Sequence, residues 1–263
     1  MQKVEFLTIY ATFGNLNVVK KTLPSVLEET HRYGNAKLIV HDSTERTHGR
    51  DRKWRYLKSL EKKHNFFLLL SSNLSMAHAR NMCLHVGQEM FAPDYIVMLE
   101  DDHGYKEGFI GVSVDAMKKY YGRYVPGSEL RFGMFGGCGK HHIAKRTILN
   151  DGNAYPALDA KSGVLGGPDK MGAINSCCRI APTSHWNNVL KGYDTDEYLI
   201  STFQTNGINR RNYHKGFNSM IIQNGDYMFD LEEGGRGCSD TGLRLWDEEY
   251  AASDGRSRFK GKG

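Results

Sequence analysis

Four short apolar segments, separated by longer amphipathic ones, set the pattern of the first hundred residues. The apolar segments are Val4–Tyr10, Lys37–His41, Phe66–Leu70 and Tyr95–Leu99. Largely apolar runs of this length are typical of strands that are buried on both faces of a sheet. The stretches between them carry apolar residues at helical spacing, starting near Leu16, Trp54 and Met76. Strands that alternate with helices predict an α/β fold with a parallel sheet and right-handed crossovers.

The ends of the predicted strands indicate where a ligand would bind. In open α/β sheets, ligands lie outside the carboxyl ends of the strands. The residues just past those ends are small, polar or acidic, and they are Ala11–Phe13, Asp42–Thr44, Ser71–Asn73 and Glu100–Asp102. We therefore expect them to line one crevice. The first strand is not followed by Gly-x-Gly-x-x-Gly, and the chain has no Gly-x-x-x-x-Gly-Lys-Ser/Thr, which counts against a dinucleotide dehydrogenase and a P-loop ATPase.

Three consecutive acids, Glu100, Asp101 and Asp102, follow the fourth apolar segment. Glu100 and Asp102 are two residues apart, so in an extended chain their side chains point the same way. Neighbouring carboxylates repel each other unless a cation lies between them. Carboxylate oxygens suit Mg2+ or Mn2+, which usually bind through one or two carboxylates and substrate phosphates. The stretch is therefore predicted to be either a metal site for a nucleotide diphosphate or a solvated acidic turn.

Composition restricts the class of protein. The 263 residues carry a net charge of +5, with 35 basic and 30 acidic side chains, and this balance does not indicate a nucleic-acid-binding protein. The five cysteines form no Cys-x-x-Cys pair, which favours free thiols in a reducing compartment. We expect a cytoplasmic protein, because no apolar run has membrane-spanning length and no signal peptide precedes the first strand. A zinc site is not predicted, since the spacing of the relevant residues fits no common pattern: Cys138, His141, His142, Cys177 and Cys178.

Four segments, taken together and in order, resemble the GT-A-fold glycosyltransferases of the large family 2 type. The segments are Tyr10–Phe13, Ile39–Thr47, Asn73–Asn81 and Leu99–Asp102. They are similar to the family's first-strand nucleotide-contacting turn, its Asp-Asp-Gly-Ser-Thr run, its Asn-x-Gly-x-x-x-Ala-Arg-Asn helix start and its Asp-x-Asp element. The chain departs from the family at His41, which replaces the first Asp of the pair, and at Glu100, which replaces the first Asp of Asp-x-Asp.

The resemblance implies an inverting transfer of a sugar from a UDP- or GDP-sugar to a hydroxyl of a glycan or other acceptor. It implies a GT-A (Rossmann-like) single domain with a mainly parallel central sheet flanked by helices, and Mn2+ or Mg2+ as the cofactor. The metal would act as a Lewis acid on the departing diphosphate. By resemblance the nucleotide-binding residues are Ala11, Thr12, Phe13, Asp42, Arg80 and Asp101, and the metal ligands are Glu100, Asp102 and His214.

Several of these residues keep a structural alternative. Thr12 and Phe13 would frame the base or form a core-edge pair, and Asp101 would touch the ribose or structure the turn. An ionised carboxylate only accepts hydrogen bonds, so Asp42 would select a base that presents a donor. Asp42 is also suited to be a turn or cap residue beside Ser43 and Thr44. Arg80, in a predicted helix, would either pair with a neighbouring acid or reach the ligand.

A carboxylate is needed to take the proton of the attacking hydroxyl. At the corresponding place the family has a Glu-Asp pair at a helix start, with Leu three and Gly eleven residues after the Asp. Asp196 meets both offsets, at Leu199 and Gly207. By this resemblance Asp196 is the catalytic base, with Glu197 as the alternative. Acids at a helix N-terminus are also favoured by the helix dipole alone, so a structural role stays open.

The second half of the chain has a less regular pattern. A helix is predicted over Phe109–Tyr121, and strands over Arg131–Gly137 and Asn175–Ala181. We expect a nucleotide-sugar-binding half at 1–105, an acceptor-binding half at 106–215, and a C-terminal extension at 216–263 with a lid and a flexible basic tail. Two other functions remain open. One is a sugar nucleotidyltransferase, although Ala11–Asn17 lacks the basic, Gly-rich loop usual there; the other is a non-catalytic nucleotide- or sugar-binding module.

Overall fold

The computed structural model follows the predicted alternation of strands and helices. It describes residues 3–13, 16–44, 50–71, 76–101, 103–125, 127–136, 154–156, 178–195, 201–222 and 228–230. The strands are β1 (Phe6–Thr12), β2 (Ala36–Asp42), β3 (Phe67–Leu70), β4 (Tyr95–Glu100), β5 (His103–Tyr105), β6 (Arg131–Gly136), β7 (Ala154–Pro156), β8 (Cys178–Pro182), β9 (Phe217–Ile222) and β10 (Met228–Asp230). The helices are α1 (Leu16–Tyr33), α2 (Arg50–Glu61), α3 (Met76–Phe91), α4 (Phe109–Tyr120), α5 (Thr183–His185) and α6 (Ser201–His214), and a π-helical turn (Trp186–Leu190) directly follows α5.

The central sheet is mixed, and it extends through both halves of the chain. Within the described ranges its strand order is β3-β2-β1-β4-β8-β6-β9-β7. The first four strands in this order are parallel, β8 is antiparallel to both β4 and β6, and β6 is parallel to β9. Strand β7 is antiparallel to β9, and β5 forms a separate antiparallel pair with β10. The predicted α/β fold with helices flanking the sheet is confirmed, whereas the division into three ranges stays a prediction.

Both faces of the sheet are covered, which explains the continuous apolar runs in the sequence. Phe6 and Tyr10 of β1 pack into one core, with apolar side chains of α1, α2 and α4. Leu7 and Ile9 of the same strand pack into a second core on the other face, with α3, α6 and the π-helical turn. All four side chains are fully buried, as a strand at the centre of a three-layer fold requires.

Strand register determines which residues meet at the carboxyl ends of the parallel strands. Strand β1 lies between β2 and β4, and it pairs Thr12 with Asp42 and Ala11 with Glu100. Because β8 runs the opposite way, its first residues lie at this same end of the sheet, where Cys178 pairs with Leu99. We call this end the carboxyl edge. No helix within the described part of the chain is long and apolar enough to cross a lipid bilayer.

Candidate active site

A buried lysine connects the ends of β1 and β2 at the carboxyl edge. Lys53 of α2 is fully buried, and its Nζ lies 2.9 Å from Asp42 Oδ1. It also donates hydrogen bonds to the hydroxyls of Thr12 at 2.7 Å and Thr44 at 3.1 Å. A buried charge is tolerated only when it is paired and hydrogen-bonded, and Lys53 meets both conditions. The end of β2 is therefore a charged position inside the protein, and Asp42 also accepts hydrogen bonds from the Thr44 N–H and hydroxyl, as the turn-residue alternative expected.

Asp101 connects the end of β4 to β1. The Thr12 hydroxyl donates a hydrogen bond to Asp101 Oδ2 at 2.5 Å, and the backbone N–H of Phe13 donates to the same oxygen at 3.4 Å. Thr12 thus bridges Asp101 and Lys53. Three predicted nucleotide-binding residues, Thr12, Asp42 and Asp101, consequently belong to one buried hydrogen-bonded group, which also fixes the backbone at Phe13.

One carboxylate oxygen in this group is left without a partner. Asp42 is fully buried, and its Oδ1 is held by Lys53 and by the Thr44 hydroxyl at 2.6 Å. Its Oδ2 has no hydrogen-bond partner among the residues that the structure describes. Leaving a buried acceptor unsatisfied costs about 1–3 kcal/mol, and more for a charged group. An N–H donor from a ligand, such as the imide of a nucleobase, is the kind of group that would satisfy this oxygen.

Glu100 forms an ion pair with Arg80. Of the two roles expected for Arg80, pairing with a neighbouring acid or reaching the ligand, the structure shows the first. Arg80 of α3 is buried, and its Nη2 donates a hydrogen bond to Glu100 Oε1 at 2.5 Å. Burial acts to raise the pKa of Glu100, but the positive charge of Arg80, aided by His103 and Arg179, holds that pKa below its ordinary value. Glu100 is therefore ionised at neutral pH. Contact between Arg80 and a nucleotide stays a prediction.

The carboxylates fit a divalent cation that substrate oxygens help to bind. The Glu100 side chain is ionised and 21% exposed, and its oxygens are hard donors of the type that Mg2+ and Mn2+ prefer. Within the described ranges, no three His, Cys, Asp or Glu side chains come together as a metal site. Asp102, the other predicted carboxylate ligand, lies outside those ranges. The fit is thus to a site that needs phosphate oxygens to be complete, not to a preformed protein cage.

His214 is not brought to Glu100. It is exposed at the end of α6, and β9 begins at Phe217, which pairs with Arg131. Strands β6 and β9 reach the carboxyl edge only at their other ends, where Gly136 pairs with β8. Because α6 runs away from the carboxyl edge before β9 returns, its last turn lies at the opposite edge. The structure therefore gives no support to His214 as a ligand of the same ion as Glu100.

The two candidate bases, Asp196 and Glu197, lie outside the described residues, but the segment just before them is described. We call this segment, Leu190–Asp194, the strap. Asn81 of α3 donates a hydrogen bond from Nδ2 to the Tyr193 carbonyl at 2.8 Å, and its Oδ1 accepts one from the Tyr193 N–H at 2.7 Å. The strap is thereby attached to α3.

Arg211 of α6 holds the strap from the other side. It donates hydrogen bonds to the carbonyls of Leu190 at 2.6 Å and Gly192 at 2.7 Å, and it forms an ion pair with Asp194. Gly207 also faces Asp194, because a Cβ added there would lie 1.9 Å from Asp194 Oδ2. Gly207 was one of the two positions used to identify Asp196 as the candidate base. The close approach of Asp194 is a separate, structural reason for a glycine at position 207.

Sequence reasoning missed Lys53, Tyr193 and Arg211, and it quoted Asn81 without giving it a role. Lys53 carries no signal, since a lysine in a polar helix is usually exposed. The Asn81–Tyr193 contact joins positions 112 residues apart, and no local pattern reports such a pairing. Arg211 carried no signal either, since the sequence pattern did not predict where the helix that contains it ends, and the structure places Arg211 in the last turn of α6.

Comparison with known proteins shows the fold. No protein-family model and no curated protein sequence matches the chain. Among solved structures, TarS 1-349 of S. aureus in complex with UDP-GlcNAc matches with a TM-score of 0.58 and 10% identity, over 90% of this chain and 61% of that one. The mannosyltransferase PcManGT from Pyrobaculum calidifontis, in complex with GDP-Man and Mn2+, matches with a TM-score of 0.56 and 12% identity, over 89% of this chain and 59% of that one.

The chain spans about three fifths of the length of these two structures. At such low identity the likeness concerns the fold alone, which is the Rossmann-like glycosyltransferase fold that the sequence motifs predicted. The reaction, its donor and its acceptor are matters for the proposal that follows.

Proposed function

We propose that the protein transfers a sugar from a UDP- or GDP-sugar to a hydroxyl of a glycan or other acceptor, with inversion at the sugar carbon. One observation supports this most strongly. The register of β2, β1 and β4 places Asp42, Asp101 and Glu100 at the same carboxyl edge. In sheets of this class ligands bind at that edge, and the fold is shared with proteins whose structures hold UDP-GlcNAc and GDP-Man.

On the donor side, Asp42 would bind the nucleobase. Its Oδ2, which has no partner among the described residues, would accept a hydrogen bond from the base, while Ala11, Thr12 and Phe13 would frame the ring. Asp101 and Thr12 keep the backbone of this turn in place through their hydrogen bond, so they would shape the nucleotide pocket. The contacts of Lys53 with Asp42 and Thr12 would therefore hold the base-binding side chains in position before the nucleotide binds.

Glu100 and Asp102 would hold Mn2+ or Mg2+. A bound cation of this kind supplies Lewis-acid stabilisation of charge on a leaving diphosphate. The role of Arg80 in this arrangement is to keep Glu100 deprotonated and correctly oriented. The carboxylate is then ready to bind a cation at neutral pH without first losing a proton.

On the acceptor side, Asp196 would act as the base, with Glu197 as the alternative. The acceptor oxygen forms a bond to the anomeric carbon, and its proton passes to the carboxylate. The bond from that carbon to the diphosphate oxygen breaks, and the nucleoside diphosphate leaves with the electron pair. A single displacement through an oxocarbenium-like state gives inversion.

A thermal-shift screen of nucleotide sugars tests the proposal. A ligand that binds only the folded state adds about 2.7 kcal/mol to the free energy of unfolding when its concentration is a hundred times its Kd. The melting temperature rises as a result. We expect UDP- or GDP-sugars to raise it with Mn2+ present and to lose most of this effect in EDTA. If no UDP or GDP compound raises it with Mn2+, the proposal is wrong. Asp196→Asn separates an enzyme from a non-catalytic binding module, because only the enzyme loses a measurable activity while it still binds the donor.

A further inference from the structure

The strap is anchored to the central sheet as well as to two helices. The π-helical turn that leads into it is fixed to β4, since Trp186 Nε1 donates a hydrogen bond to the Ile96 carbonyl at 3.2 Å. The chain then turns through Lys191 and Gly192, which have φ angles of 55° and 73°. A Cβ at position 192 would lie 2.6 Å from Asn81 Oδ1, so the close approach to Asn81 itself requires a glycine there.

Tyr193 adds a second kind of anchor, because its ring lies close to two buried arginines. The guanidinium carbons of Arg80 and Arg179 are 5.0 Å and 5.8 Å from the ring centroid. The Tyr193 hydroxyl also accepts a hydrogen bond from Arg179 Nη1 at 3.2 Å. Cation–π contacts are stronger when the groups are shielded from water, as these buried groups are.

Arg80 contacts both sides of the candidate active site. Its Nη2 binds Glu100, the proposed metal ligand, and its guanidinium lies over the ring of Tyr193 in the strap. One planar guanidinium group thus contacts both the proposed metal ligand and the segment that leads to the candidate base. Each residue advances a chain by at most about 3.6 Å, so whatever fixes Asp194 also limits where the second residue after it can reach.

We propose that Asn81 and Tyr193 are positioning residues for the base. They hold the strap against α3 and Arg80, and with it the start of the segment that carries the candidate bases Asp196 and Glu197. This inference rests on the proposed function. It predicts that loosening the strap slows the chemical step and leaves nucleotide binding unchanged, since neither residue need touch the nucleotide.

Asn81→Ala tests this against a matched control, a second asparagine whose hydrogen bond joins α3 to the turn that precedes the strap. Asn187 of the π-helical turn also reaches α3, where its Nδ2 donates to Gln88 Oε1 at 2.8 Å, but that contact is exposed and lies away from the strap. We expect Asn81→Ala to lower kcat for nucleotide release from UDP-GlcNAc or GDP-mannose about 10- to 100-fold, because small displacements of a reacting group have effects of that size. Asn187→Ala should change kcat less than about twofold.

Binding supplies the second readout. The Kd for UDP or GDP with Mn2+, measured by calorimetry, should agree within about twofold among the wild type, Asn81→Ala and Asn187→Ala. An Asn81→Ala variant with the kcat of Asn187→Ala, or with a Kd weakened as much as kcat falls, overturns the positioning role. A wild-type protein that binds neither nucleotide with Mn2+ overturns the proposed function itself, so the two failures are distinguishable.

Tyr193→Phe provides a variant that keeps the ring beside both arginines and loses only the hydroxyl. It should reduce kcat by less than Asn81→Ala, and it replaces Asn81→Ala in the kinetic test if that variant does not fold. Hydrogen exchange at the Tyr193 amide measures the strap directly. Asn81→Ala should speed this exchange by at least about tenfold relative to Asn187→Ala, and equal rates in the two variants would contradict the role assigned to Asn81.

Discussion

Two groups of buried polar side chains occupy opposite ends of the central sheet, and they differ in kind. The charged group at the carboxyl edge is built from Lys53, Asp42 and Asp101, with the Arg80–Glu100 pair beside it. The neutral group lies toward the other end. It consists of His185, Asn212 and Ser219, where His185 Nε2 is 2.8 Å from Asn212 Oδ1 and Asn212 Nδ2 donates to Ser219 Oγ at 3.2 Å.

The difference separates a structural group from a candidate site. In the neutral group, both His185 nitrogens and both Asn212 side-chain polar atoms have partners, with Tyr121 facing His185 Nδ1 at 3.3 Å. In the charged group, ions are buried at some cost, and Asp42 Oδ2 still lacks a partner among the described residues. Charged, incompletely satisfied groups in a crevice are typical of functional sites, whereas neutral, satisfied ones serve packing.

The largest expected effect comes from removing the cation of the charged group. Lys53→Met leaves the fully buried Asp42 carboxylate without its partner, which should lower the free energy of unfolding by about 3–5 kcal/mol. Urea-induced unfolding of the wild type and of Lys53→Met measures this difference in the free energy of unfolding. Lys58→Met, on the exposed face of the same helix, should change stability by less than about 0.5 kcal/mol. If the two variants unfold alike, the charged group is not the support we describe.

Removing the charge of Glu100 should affect binding more than folding. Glu100→Gln keeps the side chain's shape and takes away the negative charge that the proposed cation would need. We expect Mn2+-dependent affinity for UDP or GDP to fall at least about 10- to 100-fold by calorimetry. The control is Glu107→Gln, whose side chain is 82% exposed and should leave the affinity as it was. Unchanged affinity in Glu100→Gln would remove Glu100 from the metal site.

Acid should act on the neutral group through His185. Burial lowers the pKa of His185 from 6.5 to about 4, so the folded protein binds this proton less readily than the unfolded chain. The contribution of His185 to stability is complete above pH 6.5 and is lost as the pH falls toward 4, about 2 kcal/mol of it by pH 5. Unfolding free energies measured from pH 8 to 5 should fall less steeply in His185→Gln than in the wild type.

The exposed His214 provides the control for this pH dependence. His214→Gln, a substitution at an exposed position outside the neutral group, should retain the wild-type slope between pH 8 and 5. His41, whose pKa burial also lowers to about 4, contributes to the slope of all three proteins and therefore cancels in the comparison. Equal slopes in His185→Gln and His214→Gln would show that the neutral group is open to protons.

The smallest effect concerns one hydrogen bond of the neutral group. Ser219→Ala removes the acceptor of Asn212 Nδ2, which should cost about 1 kcal/mol and leave nucleotide binding unchanged. Ser59→Ala, whose hydroxyl bonds a carbonyl on the exposed side of α2, should cost less in thermal unfolding. A loss of nucleotide affinity in Ser219→Ala would contradict our separation of the two groups.

The first half of the fold could be predicted because its information is local. The predicted segments Tyr95–Leu99 and Lys37–His41 correspond to β4 and β2 within a residue at each end, since strands buried on both faces leave an unmistakable apolar run. The placement of β8 between β4 and β6 could not be predicted, because a short antiparallel strand has no sequence mark for its neighbours. The residue types of the strap likewise do not indicate which elements it contacts.

The candidate site was predictable only as a set of strand ends. Parallel strands bring their carboxyl ends together, so the meeting of Asp42 and Glu100 at one edge follows from the order of elements. Their partners do not follow, because Lys53 and Arg80 arrive from helices whose rotation no residue type specifies. His214 shows the converse, since its chemistry suited a metal but the direction of α6 carries it to the opposite edge.

The most direct test of the charged group as a nucleotide site is calorimetric titration of the wild-type protein with UDP and with GDP, each with Mn2+ and with EDTA. Our account predicts binding of at least one nucleotide that weakens at least about tenfold when the metal is removed. It also predicts the same affinity in Ser219→Ala, which alters only the neutral group. Absence of binding by both nucleotides in the presence of Mn2+ would contradict the account.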